Sequence, residues 1–313
     1  MSQNRANSTA FIEAEQYSAF ILRNLHDGML PGVFYRNVSD FGNGTTLHIK
    51  TVGTVTIQDG AEEVPFDYSP IESGEVTLTI TDYVGDAWYV TDELREDGAQ
   101  VEALMSARSS ESTRAIQETF ESRFLRKCNT SQTNANANLV NGFAHRVTSV
   151  ATNNVATLNH FVDMKLAFDK ANVPMAGRIA IVDPVVGATL DKLVSIGRDV
   201  TPFAERIMAD GWAREHQFMM NLYGWNIITS NRLDTGTFSD GTTAIAGVAN
   251  VFMSVADDNT KPIMAAWRRM PKVEGERNKD LRRDEFVTSA RWGFGTQRVD
   301  TLGILITSAT ATA

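Results

Sequence analysis

Between Thr9 and about His26, apolar residues recur near helical spacing at Phe11, Ala14, Tyr17, Ile21 and Leu25. Thr9 is placed to cap this helix, and Asp27-Gly28 followed by Pro31 to stop it. An extended arm should follow. From Thr46 the period changes to two: Leu47 and Ile49, then Val55 and Ile57, and after an acidic stretch Val76, Leu78 and Ile80 alternate with threonine or other polar residues. That pattern predicts a long two-stranded hairpin. From about Gly98 to Lys127 no proline or internal glycine interrupts the helical recurrence of Val101, Leu104, Met105, Ala115, Ile116, Phe120 and Phe124. One helix of roughly 45 Å is expected there, and the Asn-rich NTSQTNANAN after it reads as a loop.

A mixed α/β region begins near Leu158. LNHFVDMKLAFDKANVP reads as an amphipathic helix stopped by Pro174, GRIAIVDP as a buried strand ending in an Asp-Pro turn, and VVGATLDKLVSI as another helix. GWNIITSNRLD is a strand leading to a loop, and AIAGVANVFMSVA is apolar structure of undecided type. The stretch from Lys261 to about Ser308 supplies strands with a basic hairpin tip between them; Arg268 to Arg298 holds nine bases and five acids.

Charge sharpens the reading of the first hairpin. From Thr51 to Leu94 there are ten acids (Asp59, Glu62, Glu63, Asp67, Glu72, Glu75, Asp82, Asp86, Asp92, Glu93) and no lysine or arginine. The whole chain of 313 residues has a net charge of −9, from 38 acids against 29 bases, so the remaining 28 acids nearly balance the bases. A two-stranded hairpin alone is marginal in water, so either the chain's own core or another molecule must cover it. Its length and its uncompensated acids weigh against a cover from its own core. The acidic balance also argues against tight nucleic-acid binding, though not against enclosing nucleic acid without gripping it.

Composition excludes much else. At 42% hydrophobic and 21% charged residues the chain is globular and long enough for one large or two medium domains. Neither a membrane span nor a signal peptide is expected. The single Cys128 excludes an intrachain disulfide and reads as a small, inert filler at a helix end. Phosphate-loop, dinucleotide, nucleophile-elbow and zinc-protease signatures are missing, so no catalytic, cofactor or metal residue is assigned. His160 and Asp163 read as a solvated or capping pair, Asp183 as a helix cap before Pro184, and Gly293-Phe294-Gly295 as a bulge or close-packing site.

The order of arm, acidic hairpin, very long helix, α/β region, basic hairpin and terminal strand resembles the major capsid proteins of tailed bacteriophages, which share the HK97-type fold. GRIAIVDPVVGATLDKL is similar to the strand and helix opening the axial domain of that family, and GWNIITSNRL to its later strand. AAWRRMPKVEGERNKDLRRDEFVTSARWGFGTQRVDTLGILI is similar to the closing peripheral strands. The resemblance implies an α+β, HK97-type capsid fold with an N-terminal arm over 1–44 and an E-loop hairpin over 45–90. A peripheral domain with the spine helix would cover 91–157 and an axial domain 158–255, with a return to the peripheral domain and a terminal strand over 256–313.

It further implies a structural protein, not an enzyme, without cofactors, assembling with itself into pentamers and hexamers of an icosahedral head in the virion. The head would be built in the host cytoplasm and would enclose double-stranded DNA without tight, specific binding and without a membrane. The family implies a portal and possibly a decoration protein as partners. Nothing before Thr9 resembles a scaffolding extension, so a scaffolding protein is expected to be separate. Lys50 is the only lysine near the loop and no motif selects it, so an isopeptide crosslink is not expected.

In this family the E-loop lies over a neighbouring subunit. Asp59, Glu62, Glu63, Asp67, Glu72, Glu75, Val76, Leu78 and Ile80 are therefore its expected contact residues, with Arg268, Arg269, Arg277, Lys279, Arg282 and Arg283 the expected basic partners. Shells of bacterial nanocompartments, the encapsulins, share the fold and are the nearest alternative; an oligomeric α/β enzyme whose hairpin is an oligomerisation arm is the alternative from another class.

Overall fold

A computed structural model describes residues 30, 32–40, 44–53, 57–60, 62–63, 66, 68, 73–98, 101–132, 139–196 and 218–312. The helix expected from Thr9 to His26 lies outside the described residues, as do Asp67 and Glu72. In chain order the elements are β1 (Arg36–Asn37), β2 (Thr46–Val52), β3 (Ser73–Thr91), α1 (Asp92–Asp97), α2 (Val101–Ser131), β4 (Leu139–Val140), β5 (Phe143–Ala144), β6 (Arg146–Thr148) and α3 (Leu158–Lys170). There follow β7 (Arg178–Val182), α4 (Pro184–Ile196), β8 (Phe218–Leu222), β9 (Trp225–Thr229), β10 (Thr235–Ser239), β11 (Ala244–Ser254), β12 (Ile263–Asn278), β13 (Arg283–Thr296) and β14 (Leu302–Thr307).

Among the described residues the strands form a five-stranded sheet in the order β1-β12-β13-β3-β2 and a seven-stranded sheet in the order β6-β14-β11-β7-β9-β8, with β10 pairing β11. A small β4-β5 ribbon stands apart. The undecided apolar run after Thr243 is β11, a strand whose last eight residues are buried. Strands β7 and β14 are buried throughout because both faces are covered. On one face Ile179, Ile181, Val251, Ile304 and Ile306 meet Phe124, Leu125 and Cys128 of α2. On the other, Ala180, Val182, Phe252 and Leu305 meet Phe161, Met164 and Phe168 of α3 and Val186 and Leu190 of α4.

Helix α2 joins the two sheets. Its 31 residues extend about 46 Å. The middle of the helix, at Ile116 and Phe120, packs on Ala265, Ala290 and Trp292 of the five-stranded sheet, while its last turns pack on the seven-stranded one. The expected start at Gly98 is corrected: Thr91 caps a separate α1, and the Gly98 amide closes it by donating to the Leu94 carbonyl at 3.0 Å. A Cβ at Gly98 would lie 2.3 Å from Val101 Cγ2, so a glycine turns the chain between the two helices. The far end runs four residues beyond Lys127 because the buried Arg146 caps it, donating to the Asn129 side chain at 2.8 Å and to the Gln132 carbonyl at 2.7 Å. Two residues expected in the core do not enter it: Leu104 is 54% exposed, and Ala115 is exposed as well.

The terminal strand also differs from expectation. β14 pairs β11 antiparallel and β6 parallel, so it closes the seven-stranded sheet instead of the peripheral one. An entirely apolar strand needs neighbours on both edges and layers on both faces, which only the middle of that sheet offers.

Candidate intersubunit surface

Strand β3 runs for 19 residues, and its two ends do different work. Its first residues pair with β2, from Val52↔Ser73 to Thr46↔Thr79, and form the root of the acidic hairpin. The rest pairs with β13, up to Arg283↔Thr91, beside the turn between β12 and β13. The hairpin is therefore anchored in a five-stranded sheet, and the expectation of a ribbon with no cover in its own chain is corrected for its root.

Glycines make that cover possible. Met264 and Ala266 of β12 stand opposite Gly295 and Gly293 of β13, and a Cβ at 295 would lie 2.9 Å from the Leu78 Cβ. A Cβ at 293 would lie 2.3 Å from the Thr79 carbonyl oxygen. Leu78 and Ile80 thus close onto Met264 and Ala266 across a strand that has no side chains between them. The register of β3 on β13 shifts between Trp292 and Phe294, as expected of a bulge and close packing at Gly293-Phe294-Gly295. Leu78 is fully buried and Ile80 nearly so within their own chain, so neither is a free intersubunit contact. Val76 is half-buried beside them.

The acids divide in the same way. On β3, Asp82 pairs with Arg123 and Asp86 with Arg108, each at 2.8 Å, both bases on α2. Glu75 is gripped by Lys50 and His48 across the hairpin, which hold its carboxyl below the usual value, Lys50 contributing most. At the tip Asp59, Glu62 and Glu63 are exposed, Glu63 in a left-handed turn at φ 64°, and none of them forms an ion pair among the described residues. Beside them Ile57, Phe66 and Tyr68 stand 86%, 63% and 104% exposed. The tip is therefore aromatic as well as acidic, a combination that charge counting misses although Phe66 and Tyr68 flank Asp67 in the sequence.

Of the expected basic partners, Arg277, Lys279, Arg282 and Arg283 lie at the opposite end of β3, while Arg268 and Arg269 lie level with its middle, Arg269 opposite Arg291 and Arg291 opposite Tyr83. Between Glu75 and Thr91 the strand covers about 50 Å at roughly 3.3 Å per residue. Arg277 clamps Asp92 and also reaches Asp284 at 3.3 Å. Arg269 pairs with Glu274 and Arg283 with Glu285, each at 2.7 Å, and the Arg283 guanidinium lies 4.4 Å from the centroid of the Tyr89 ring. Arg268, Lys279 and Arg282 are exposed. Arg269 and Arg283 are thus engaged by acids a few residues on in their own strands, and Arg277 by Asp92 of α1 and Asp284 of β13, so these three bases already have partners within the chain.

Residues weighed for chemistry have structural partners. The Asp183 carboxylate accepts the Val185 amide at 3.0 Å at the start of α4. His160 Nδ1 accepts the Thr157 amide at 3.1 Å in a capping box. Cys128 is buried, and burial pushes its thiol up, away from reactivity. Among the described residues no group of His, Cys, Asp and Glu could hold a metal ion, and no helix is long and apolar enough to cross a membrane.

Solved structures share this architecture over nearly their whole length. Mycobacterium phage Che8 matches at 18% identity over 93% of this chain and 96% of that one, with a TM-score of 0.66. The mature capsid of bacteriophage PhiM1 matches at 15% identity over 100% and 98%, with a TM-score of 0.69, and the capsid of Ralstonia phage GP4 at 9% identity over 100% and 99%, with a TM-score of 0.68. No curated protein matches. The family model described as phage capsid protein matches residues 74–307, well over half of the chain. With the long helix joining two sheets and the hairpin extending from one of them, the chain has the HK97-type fold and belongs to the phage capsid protein family, a family of structural proteins and not of enzymes.

Proposed function

We propose that this capsid protein assembles with itself into the pentamers and hexamers of an icosahedral phage head that encloses double-stranded DNA, built in the host cytoplasm, and that its hairpin is the arm laid over a neighbouring copy. The observation that carries this reading is the hairpin tip. Its acids have no ion-pair partner among the described residues and its aromatic side chains are bare, while its root is locked into the sheet. A rigidly held arm with an uncovered tip suits a protein whose cover is another copy. The net charge of −9 suits a container whose DNA must stay mobile.

Sedimentation of the Glu62→Lys, Glu63→Lys double variant beside the unvaried chain tests the role of the arm. The variant is expected to stay a folded small species under conditions where the unvaried chain forms megadalton particles. Particles of the same mass from both, at low and at high salt, would remove the acidic tip from the assembly reaction.

A further inference from the structure

Arg277 and Arg283 at the β12–β13 end are engaged by acids of their own chain, and a second basic surface lies much nearer the root of the hairpin. A groove of about 640 Å³ opens beside the root of the hairpin, between β2 and the segment that follows β13. Roughly 300–1,000 Å³ is the size of cleft that holds a few buried groups. Arg36, Lys50 and Arg298 stand around it with one acid, Asp300, and Ile49, Val52 and Val76 form its hairpin side. Lys50 is held by Glu75. Arg36 donates only weakly, to the Gln297 side chain at 3.4 Å, and the carboxylate near it, Asp258, is taken by Lys261 at 2.7 Å. Among the described residues neither Arg36 nor Arg298 forms an ion pair. Val52 is 76% exposed in the groove wall, and none of the tip's described residues lines the groove.

We propose that this groove receives the hairpin tip of a second copy, with Asp59, Glu62 and Glu63 toward Arg36 and Arg298 and the aromatic pair Phe66 and Tyr68 against Val52 and its neighbours. This inference rests on the assembly reading and names its contact. The two surfaces match in both respects: uncompensated acid meets uncompensated base, and bare aromatic side chains meet a bare apolar wall. Charge pairs of this kind, once partly desolvated by such packing, couple far more strongly than exposed ones. Each copy carries one tip and one groove on different patches, so the contact is head-to-tail and repeats around a ring, as a ring-shaped capsomer requires.

The test is disulfide trapping in assembled particles, with Cys128 too buried to compete. Tyr68→Cys is combined either with Val299→Cys, at the groove, or with Leu281→Cys, at the β12–β13 turn; all three positions are exposed, so folding is spared. After oxidation, a non-reducing denaturing gel should show a ladder of linked chains for the Tyr68–Val299 combination and only monomer for either single variant. Particles that form but give no ladder with Val299→Cys, whether or not Leu281→Cys gives one, would overturn the groove contact and leave the assembly reading standing. Absence of particles from the unvaried chain would remove the assembly reading and the groove contact with it.

Discussion

Arg277 donates from both terminal nitrogens to the two carboxylate oxygens of Asp92, at 2.9 and 2.8 Å, across 185 positions of sequence. The pair ties the end of β12 to the first residue of α1 and engages Arg277 within its own chain.

That pair sets a pH signature. The guanidinium holds the Asp92 carboxyl below its usual value, by its hydrogen bonds first and its charge second. A depressed folded-state pKa gives a contribution that is whole above the unfolded value of about 3.9 and is lost as the pH falls through the folded value. The difference in melting temperature between the unvaried chain and Asp92→Asn should therefore be constant from about pH 5 upward and shrink below about pH 4. A difference that is largest at the acid end would contradict the assignment.

The trough over β13 gives a second prediction. Gly293→Val places a side chain where a Cβ already meets the Thr79 carbonyl at 2.3 Å, and overpacking of this kind costs about 1–3 kcal/mol. Urea denaturation should show that loss, whereas Gly32→Ala is expected to be less costly, since a Cβ at 32 meets only the Tyr35 side chain, at an ordinary contact distance of 3.5 Å.

Helix α2 gives a third. Ile116→Pro deletes a backbone hydrogen bond in mid-helix and should cost about 3 kcal/mol or more, visible as a lower denaturation midpoint together with loss of particles. Particles of normal yield would mean that the span between the two sheets need not be one straight helix.

A fourth concerns the far end of that helix. Arg146→Met leaves the Asn129 and Gln132 carbonyls, which it now binds while buried, without their donor. Unpaired buried acceptors cost about 1–3 kcal/mol each, so a drop of roughly 3 kcal/mol in unfolding free energy is expected.

Much of this fold is written in local spacing. The alternation of Val76, Leu78 and Ile80, the uninterrupted run from Val101 onward and the Asp-Pro turn after β7 identify their elements without help from distant residues. What the spacing hides is partnership across the chain. Leu78 reads as an exposed arm residue until Gly295, far along the sequence, removes the side chain that would separate it from Met264. The acids of β3 look uncompensated until α2 swings Arg108 and Arg123 over them. In the same way Arg146 looks like an ordinary surface base before β6, α2 and the β10–β11 turn close around it. The tip acids were legible because nothing described in the chain comes back to meet them.

The central claim is that this chain closes into shells through contacts between copies. Negative-stain imaging of the purified protein tests it most directly: closed, icosahedral particles built from many copies are predicted, and a uniform population of small oligomers under all salt conditions would contradict it.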